Sequence, residues 1–145
     1  MIARQITRDM GGNYELAFIC GLLHDIGKTI LLDMLSDYML LPDARVQLIE
    51  ENHAEVGYLL AQKWNFGSDI KDIIRYHHSP ERSIEHVKLA EVISLSNVMA
   101  NLNSHPEEVR DMTFTSLELG QISIDDLLEQ VDMLEHEAGQ IMRLA

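Results

Sequence analysis

Apolar residues recur at three- and four-residue spacings along almost the whole chain, with no convincing one-by-one alternation, so the chain can build helices and offers no strand to pair. Gly11-Gly12-Asn13 ends a short first helix, and a second is expected over residues 14–26. Gly27 reads as the interruption before a helix over 29–40, closed near Pro42. Asn52, with Glu55 three residues on, has the form of a capping box. It predicts a helix from His53 to about Trp64 whose inner face is Val56, Leu59, Leu60 and Trp64. Ser68 caps a helix reaching His78 and stopped by Ser79-Pro80. Helices over 85–103 and 123–142 complete the set. The last carries Ile124, Leu127, Leu128, Val131, Leu134, Ala138 and Ile141 as a stripe. The expected fold is an all-α, compact multi-helix bundle.

Composition bounds the function. A chain of 145 residues is one domain by size. Its net charge of −13 argues against a broad face for long nucleic acids, which need clustered Lys and Arg. Ten acidic and two basic residues in 104–145 put −8 of that charge in an acidic C-terminal segment, so the chemistry is expected in the first part. No apolar run approaches the ~20 residues that span a bilayer, so no membrane contact is expected. A single cysteine, Cys20, forms no internal disulfide and suits a reducing cytoplasm.

The strongest local signal is Gly21-Leu22-Leu23-His24-Asp25-Ile26-Gly27-Lys28. Ala17, Cys20, Gly21 and His24 make a stripe of small residues that lets a neighbouring helix approach, while Ile19, Leu22, Leu23 and Ile26 fill another face. A helix apolar on most faces is buried, and a buried carboxylate must be paired or metal-bound. Lys28 lies one turn beyond His24. A second signal is His77-His78, where His77 continues the face of Ile70, Ile73 and Ile74. His53 stands at a helix start. Imidazole nitrogen and carboxylate oxygen are the donors chosen by Zn, Fe, Mn and Ni. Cys20 reads as a small core residue, and His86, His105 and His136 as ordinary surface or hydrogen-bonded histidines.

These motifs resemble the HD superfamily of metal-dependent phosphohydrolases, named for the adjacent pair at His24-Asp25, and most closely its HDOD branch of bacterial signalling domains. The resemblance runs through His24-Asp25-Ile-Gly-Lys28, His53-Ala-Glu-Val-Gly57 and Tyr76-His77-His78-Ser-Pro80. Leu89-Ala90 and Leu95-Ser96-Asn97-Val98-Met99-Ala100 fit a later helix. It implies a single domain over 1–145, short at its N-terminus relative to the family. It also implies that His24 and Asp25 are metal ligands, and that His53, His77 and His78 match further ligands of the HD-GYP phosphodiesterases. Lys28 matches a lysine that contacts substrate phosphate there. The family's upstream histidine has no counterpart before His24, its final aspartate falls on Asn97, a weakened or lost ligand position, and its GYP segment is replaced by Glu81-Arg82-Ser83.

Two functions follow from the resemblance. The first is a signal-transduction or regulatory domain with a partly retained metal site, acting through a protein partner or a small nucleotide. The second is an active phosphohydrolase or phosphodiesterase acting on a nucleotide or cyclic dinucleotide. In that second case Asp25 and Lys28 are catalytic, and Lys28, Arg75 and Arg82 hold phosphate. Loss of one neutral and one anionic ligand favours one divalent ion (Fe, Mn, Zn or Ni) over two. Missing N-terminal helices would leave apolar surface for self-association, making a homo-oligomer a further expectation.

Overall fold

The computed structural model describes residues 1–101 and Met133. Among them are six α-helices and no strand: α1 Ile2–Asp9, α2 Tyr14–Leu23, α3 Ile26–Met34, α4 Pro42–Lys63, α5 Ser68–Tyr76 and α6 Val87–Ala100, with a 3₁₀ turn at Pro80–Arg82 before α6. The all-α reading is correct. The expected helix over 123–142 lies outside the described residues apart from Met133, as do His105 and His136.

Two helix ends are built from local chemistry. After α1, Gly11 takes φ +69°, and the amides of Gly11 and Gly12 donate to the carbonyls of Arg8 and Thr7 at 3.0 and 2.8 Å. That left-handed closure needs a residue free of Cβ strain. After α4 the same closure recurs with Asn65 at φ 55°, the amides of Asn65 and Phe66 donating to Gln62 and Ala61. Asn13 then starts α2, its side chain accepting from the Leu16 amide at 3.1 Å.

The other boundaries correct the sequence reading. The chain breaks at His24-Asp25, with Asp25 (φ −98°, ψ 12°) leading into α3, and Gly27 lies inside α3. A Cβ on Gly27 would stand 1.9 Å from the His53 carbonyl oxygen, so this glycine permits helix contact and makes no turn. Pro42 begins α4 at its first helical position, where a missing N–H costs nothing. Asn52 therefore sits mid-helix and donates to the Leu48 carbonyl at 2.8 Å, so the capping box does not form. Ser68 makes no side-chain cap, and α5 ends at Tyr76, leaving His77-His78 in the turn that follows.

The core joins Ala3 and Ile6 of α1, Ala17 and Cys20 of α2, Ile73 of α5, and Ala90, Val92, Ile93, Leu95 and Met99 of α6. Helix α6 is buried at every position from Ala90 to Ser96. On one side of this core α3 packs along α4, and α5 packs on α4. Small residues set these contacts: Gly21 lies near Ala3 and Ile93, and Ile49, His53, Gly57 and Ala61 form the buried face of α4. The face read as buried is only half right: Val56 and Leu60 are half-buried, but Leu59 and Trp64 are 54% and 53% exposed. Likewise Ile19 and Leu22 of α2 are open, Leu22 at 71%.

Cys20 is fully buried, and burial, with Asp69 adding to it, pushes its thiol up to about 12. Only the thiolate reacts, so near pH 8 the folded chain should present ~10⁻⁴ of it. Ellman's reagent should therefore label Cys20 only after denaturant is added. Prompt stoichiometric labelling of the native protein would contradict the packing described.

Candidate metal centre

Two helix junctions and the middle of a third helix bring the titratable residues together. Asp25 comes from the joint between α2 and α3, His53 from the middle of α4, and His77 and His78 from the end of α5. One ligand atom from each of these four lies within 4.8 Å of the others. His53 and His77 are fully buried, and the Asp25 side chain is 32% exposed.

The backbone fixes which nitrogen faces inward. His24 Nδ1 donates to the Gly21 carbonyl at 2.9 Å, His53 Nδ1 to Ile49 at 3.0 Å, and His77 Nδ1 to Ile74 at 2.9 Å. A carbonyl only accepts, so each Nδ1 holds the proton and each neutral ring turns an Nε2 lone pair to the interior. These lone pairs converge. His53 Nε2 is 3.3 Å from His77 Nε2, 3.0 Å from His78 Nε2 and 3.2 Å from Asp25 Oδ1. His77 Nε2 is 3.5 Å from the same oxygen. With the rings neutral and no proton shared among them, Asp25 Oδ1 has no hydrogen-bond donor of good geometry.

Such a cluster needs a positive charge among its lone pairs, which either a proton on His53 Nε2, 3.2 Å from Asp25 Oδ1, or a bound cation supplies. A single ion with bonds of ~2.1 Å holds its neighbouring ligands ~3.0 Å apart in octahedral and ~3.4 Å in tetrahedral geometry. Four of the separations, 3.0 to 3.5 Å, lie close to that span, and the whole set stays within 4.8 Å. The Nδ1–carbonyl bonds supply the outer support that histidine ligands need. Asp25, His53, His77 and His78 thus fit one divalent ion, which they could hold through three nitrogens and one oxygen.

Electrostatics suits the same role. Burial works to raise the Asp25 carboxyl, but His53 and His77, with His24 and Lys28, outweigh it and hold the pKa far below the usual carboxylate range. Burial, with His77 and His53 nearby, lowers His78 to about 4. Burial also lowers His24. His53 is raised, because the attraction of Asp25 overcomes the burial that opposes it.

The remaining predicted residues take other places. His24 stands on the second face of Asp25, its Nε2 3.5 Å from Oδ2 and without a hydrogen bond of good geometry, and Asn97 of α6 lies beside it. Lys28 Nζ also faces Oδ2, at 3.2 Å, and lies 3.2 Å from Glu50 Oε1. Arg75 pairs with Glu55 through Nε at 3.1 Å and Nη2 at 3.3 Å, with its guanidinium 4.3 Å above the Tyr58 ring. Arg82 lies over Tyr76 at 5.4 Å. Both arginines line a cleft of about 400 Å³ that also holds His78, Glu50, Glu51 and Glu55. Glu50 escaped the sequence reading. Its signal was a position one turn before His53, hidden by the assumption that α4 began at His53.

A family model for the HDOD domain matches residues 1–80. Among curated relatives, Ribonuclease Y of Sulfurovum sp. (strain NBC37-1) is 31% identical over 97 residues, covering 66% of this chain and 16% of that protein. Ribonuclease Y of Mycoplasmoides gallisepticum is 33% identical over 87 residues, 60% of this chain and 14% of its own. A Treponema pallidum protein of uncharacterized role is 28% identical over 96 residues, 57% of this chain and 18% of its own. The chain spans less than a fifth of the length of these relatives. No solved structure matches it at a significant level. Because the family match runs unbroken through the α2–α3 joint, α4 and the end of α5, which carry Asp25, His53, His77 and His78, the chain belongs to the HDOD domain family.

Proposed function

We propose that this chain is a signalling or regulatory domain that holds one divalent metal ion (Fe, Mn, Zn or Ni) and acts by binding a protein partner or a small nucleotide, without turning over phosphodiesters. The observation that carries this reading is the state of the cations around the cleft. Lys28 is committed to Asp25 and Glu50, and Arg75 to Glu55. A phosphate drawing on Lys28 or Arg75 would have to displace a carboxylate from each, and one held by Arg82, which lies over Tyr76, would still lie close to Glu50, Glu51 and Glu55. Metal binding itself is supported by the four converging donors, with Asp25 as the anionic ligand and His53, His77 and His78 as the neutral ones.

A second reading, metal-dependent phosphodiester hydrolysis, is favoured by the relatives that bear the name Ribonuclease Y. A bound divalent ion would supply Lewis acidity toward a phosphoryl oxygen. Asp25 and His24 would orient the site, and Lys28 and Arg75, once freed from their carboxylates, or Arg82, which lies over Tyr76, would hold the phosphate. The two readings separate in a turnover assay. Metal-supplemented protein should hydrolyse neither bis(p-nitrophenyl) phosphate nor cyclic dinucleotides above the rate with free metal. Hydrolysis abolished by His24→Ala and by Asp25→Ala would establish the enzyme and overturn the regulatory reading.

A further inference from the structure

We propose that Lys28, held in place by Glu50, occupies the position of a second cation on Asp25, so that the centre takes one metal ion and one fixed ammonium group. The inference rests on the metal reading above and adds what decides the number of ions. The two oxygens of Asp25 face different company. Oδ1 meets His53 and His77, with His78 behind them, and this side has a full donor set. Oδ2 meets His24 Nε2 at 3.5 Å and Lys28 Nζ at 3.2 Å.

The Oδ2 side has the makings of a second, poorer cation site. It offers an imidazole lone pair from His24 that finds no hydrogen bond, one carboxylate oxygen of Asp25, and Glu50 across the ammonium. Lys28 sits between the two carboxylates at equal distances of 3.2 Å. That is where a metal bridged by Asp25 and closed by Glu50 would have to lie. An ammonium group supplies charge without needing ligands arranged at fixed angles, so it competes well for a three-donor set that would hold a metal ion weakly. It also brings one positive charge where an ion brings two, which suits a side whose only other nearby acid is Glu50. Glu50 is half exposed, and its Oε2 also lies 4.0 Å from His53 Nδ1. Glu50 is therefore a positioning residue: it orients Lys28 on the outer face of the centre.

Manganese stoichiometry tests this without reference to turnover. Equilibrium dialysis against Mn(II), checked by elemental analysis, should give one equivalent for wild type and for Lys28→Arg, which keeps the charge. Lys28→Met keeps the aliphatic stem and loses the charge, and should rise to two equivalents. The Lys28→Met/Glu50→Gln double variant should fall back to one, because the second ion loses its closing carboxylate. One equivalent in Lys28→Met, or two in wild type or Lys28→Arg, overturns the ammonium assignment and leaves the metal centre standing. Two equivalents in the double variant overturns the role of Glu50. No manganese in wild type, with none after expression in zinc- or iron-supplemented medium, overturns the metal reading itself and this inference with it.

Discussion

Asp25→Ala should empty the centre. Asp25 is the only anion among the four converging donors, and without it three neutral imidazoles face a divalent ion alone. Removing an outer-shell partner of a metal ligand typically costs ~10–100-fold in affinity, so loss of the charged ligand should exceed 100-fold. Elemental analysis of wild type and variant, expressed side by side in metal-supplemented medium, should show the ion in the first and less than a tenth as much in the second. Asp25→Asn should lie close to Ala, since the amide keeps the shape and loses the charge. Equal metal in wild type and Asp25→Ala would show that the ion, if any, sits elsewhere.

Gly27→Ala should be the most damaging change of a single methyl in the described residues. The added Cβ would meet the His53 carbonyl oxygen at 1.9 Å, and the His53 carbonyl carbon and Gly57 amide nitrogen at 2.8 Å. All three are backbone atoms of α4, so no rotamer change relieves the clash and the two helices must part. Effects beyond ~4 kcal/mol are exceptional for a point substitution, and this one belongs among them. Against a total stability of ~5–15 kcal/mol the variant should be largely unfolded or close to it. His53 would move with α4, so metal should be lost too. Gly11→Ala makes the useful contrast. Its Cβ would meet nothing within 4 Å, leaving only the strain of φ +69°, about 1 kcal/mol. Urea unfolding followed by the single Trp64 should separate the two. A wild-type midpoint for Gly27→Ala would mean that α3 and α4 do not touch as described.

The centre was more legible than the helices that carry it. Adjacent ionisable residues on apolar helix faces stand out in any sequence, and His24-Asp25 and His77-His78 did so at once. Their spacing also told that they close helices, because His77 follows Ile73 and Ile74 onto the buried face. Glycine was harder. A glycine that bends the chain and one that another helix touches look alike in sequence, so Gly27 read as a break while the true break fell two residues earlier. Asn52 and Glu55 had the spacing of a cap, yet Pro42 had already started the helix, leaving Asn52 to its own backbone and Glu55 to Arg75.

The misread face of α4 has a similar cause. Leu59 and the capping Trp64 are bulky and apolar, but close packing selects the line of Ile49, His53, Gly57 and Ala61. The pairing of Arg75 lay beyond any local pattern, because Arg75 and Glu55 are 20 residues apart and meet only through the packing of α4 on α5. Arg75 and Lys28 were legible as basic residues near the site; their pairing with Glu55 and Glu50 was not.

The origin of the donors in three separate parts of the chain has one more consequence. His53 and His77 lie 24 residues apart, and Asp25 comes from a third place in the chain, so the complete donor set exists only when the helices are assembled. An ion bound there acts as a clasp for the fold, present in the native state and absent from the unfolded one. At free metal about 100 times its dissociation constant, such linkage adds ~2.7 kcal/mol of stability. The melting temperature of this domain then becomes a gauge of the metal around it.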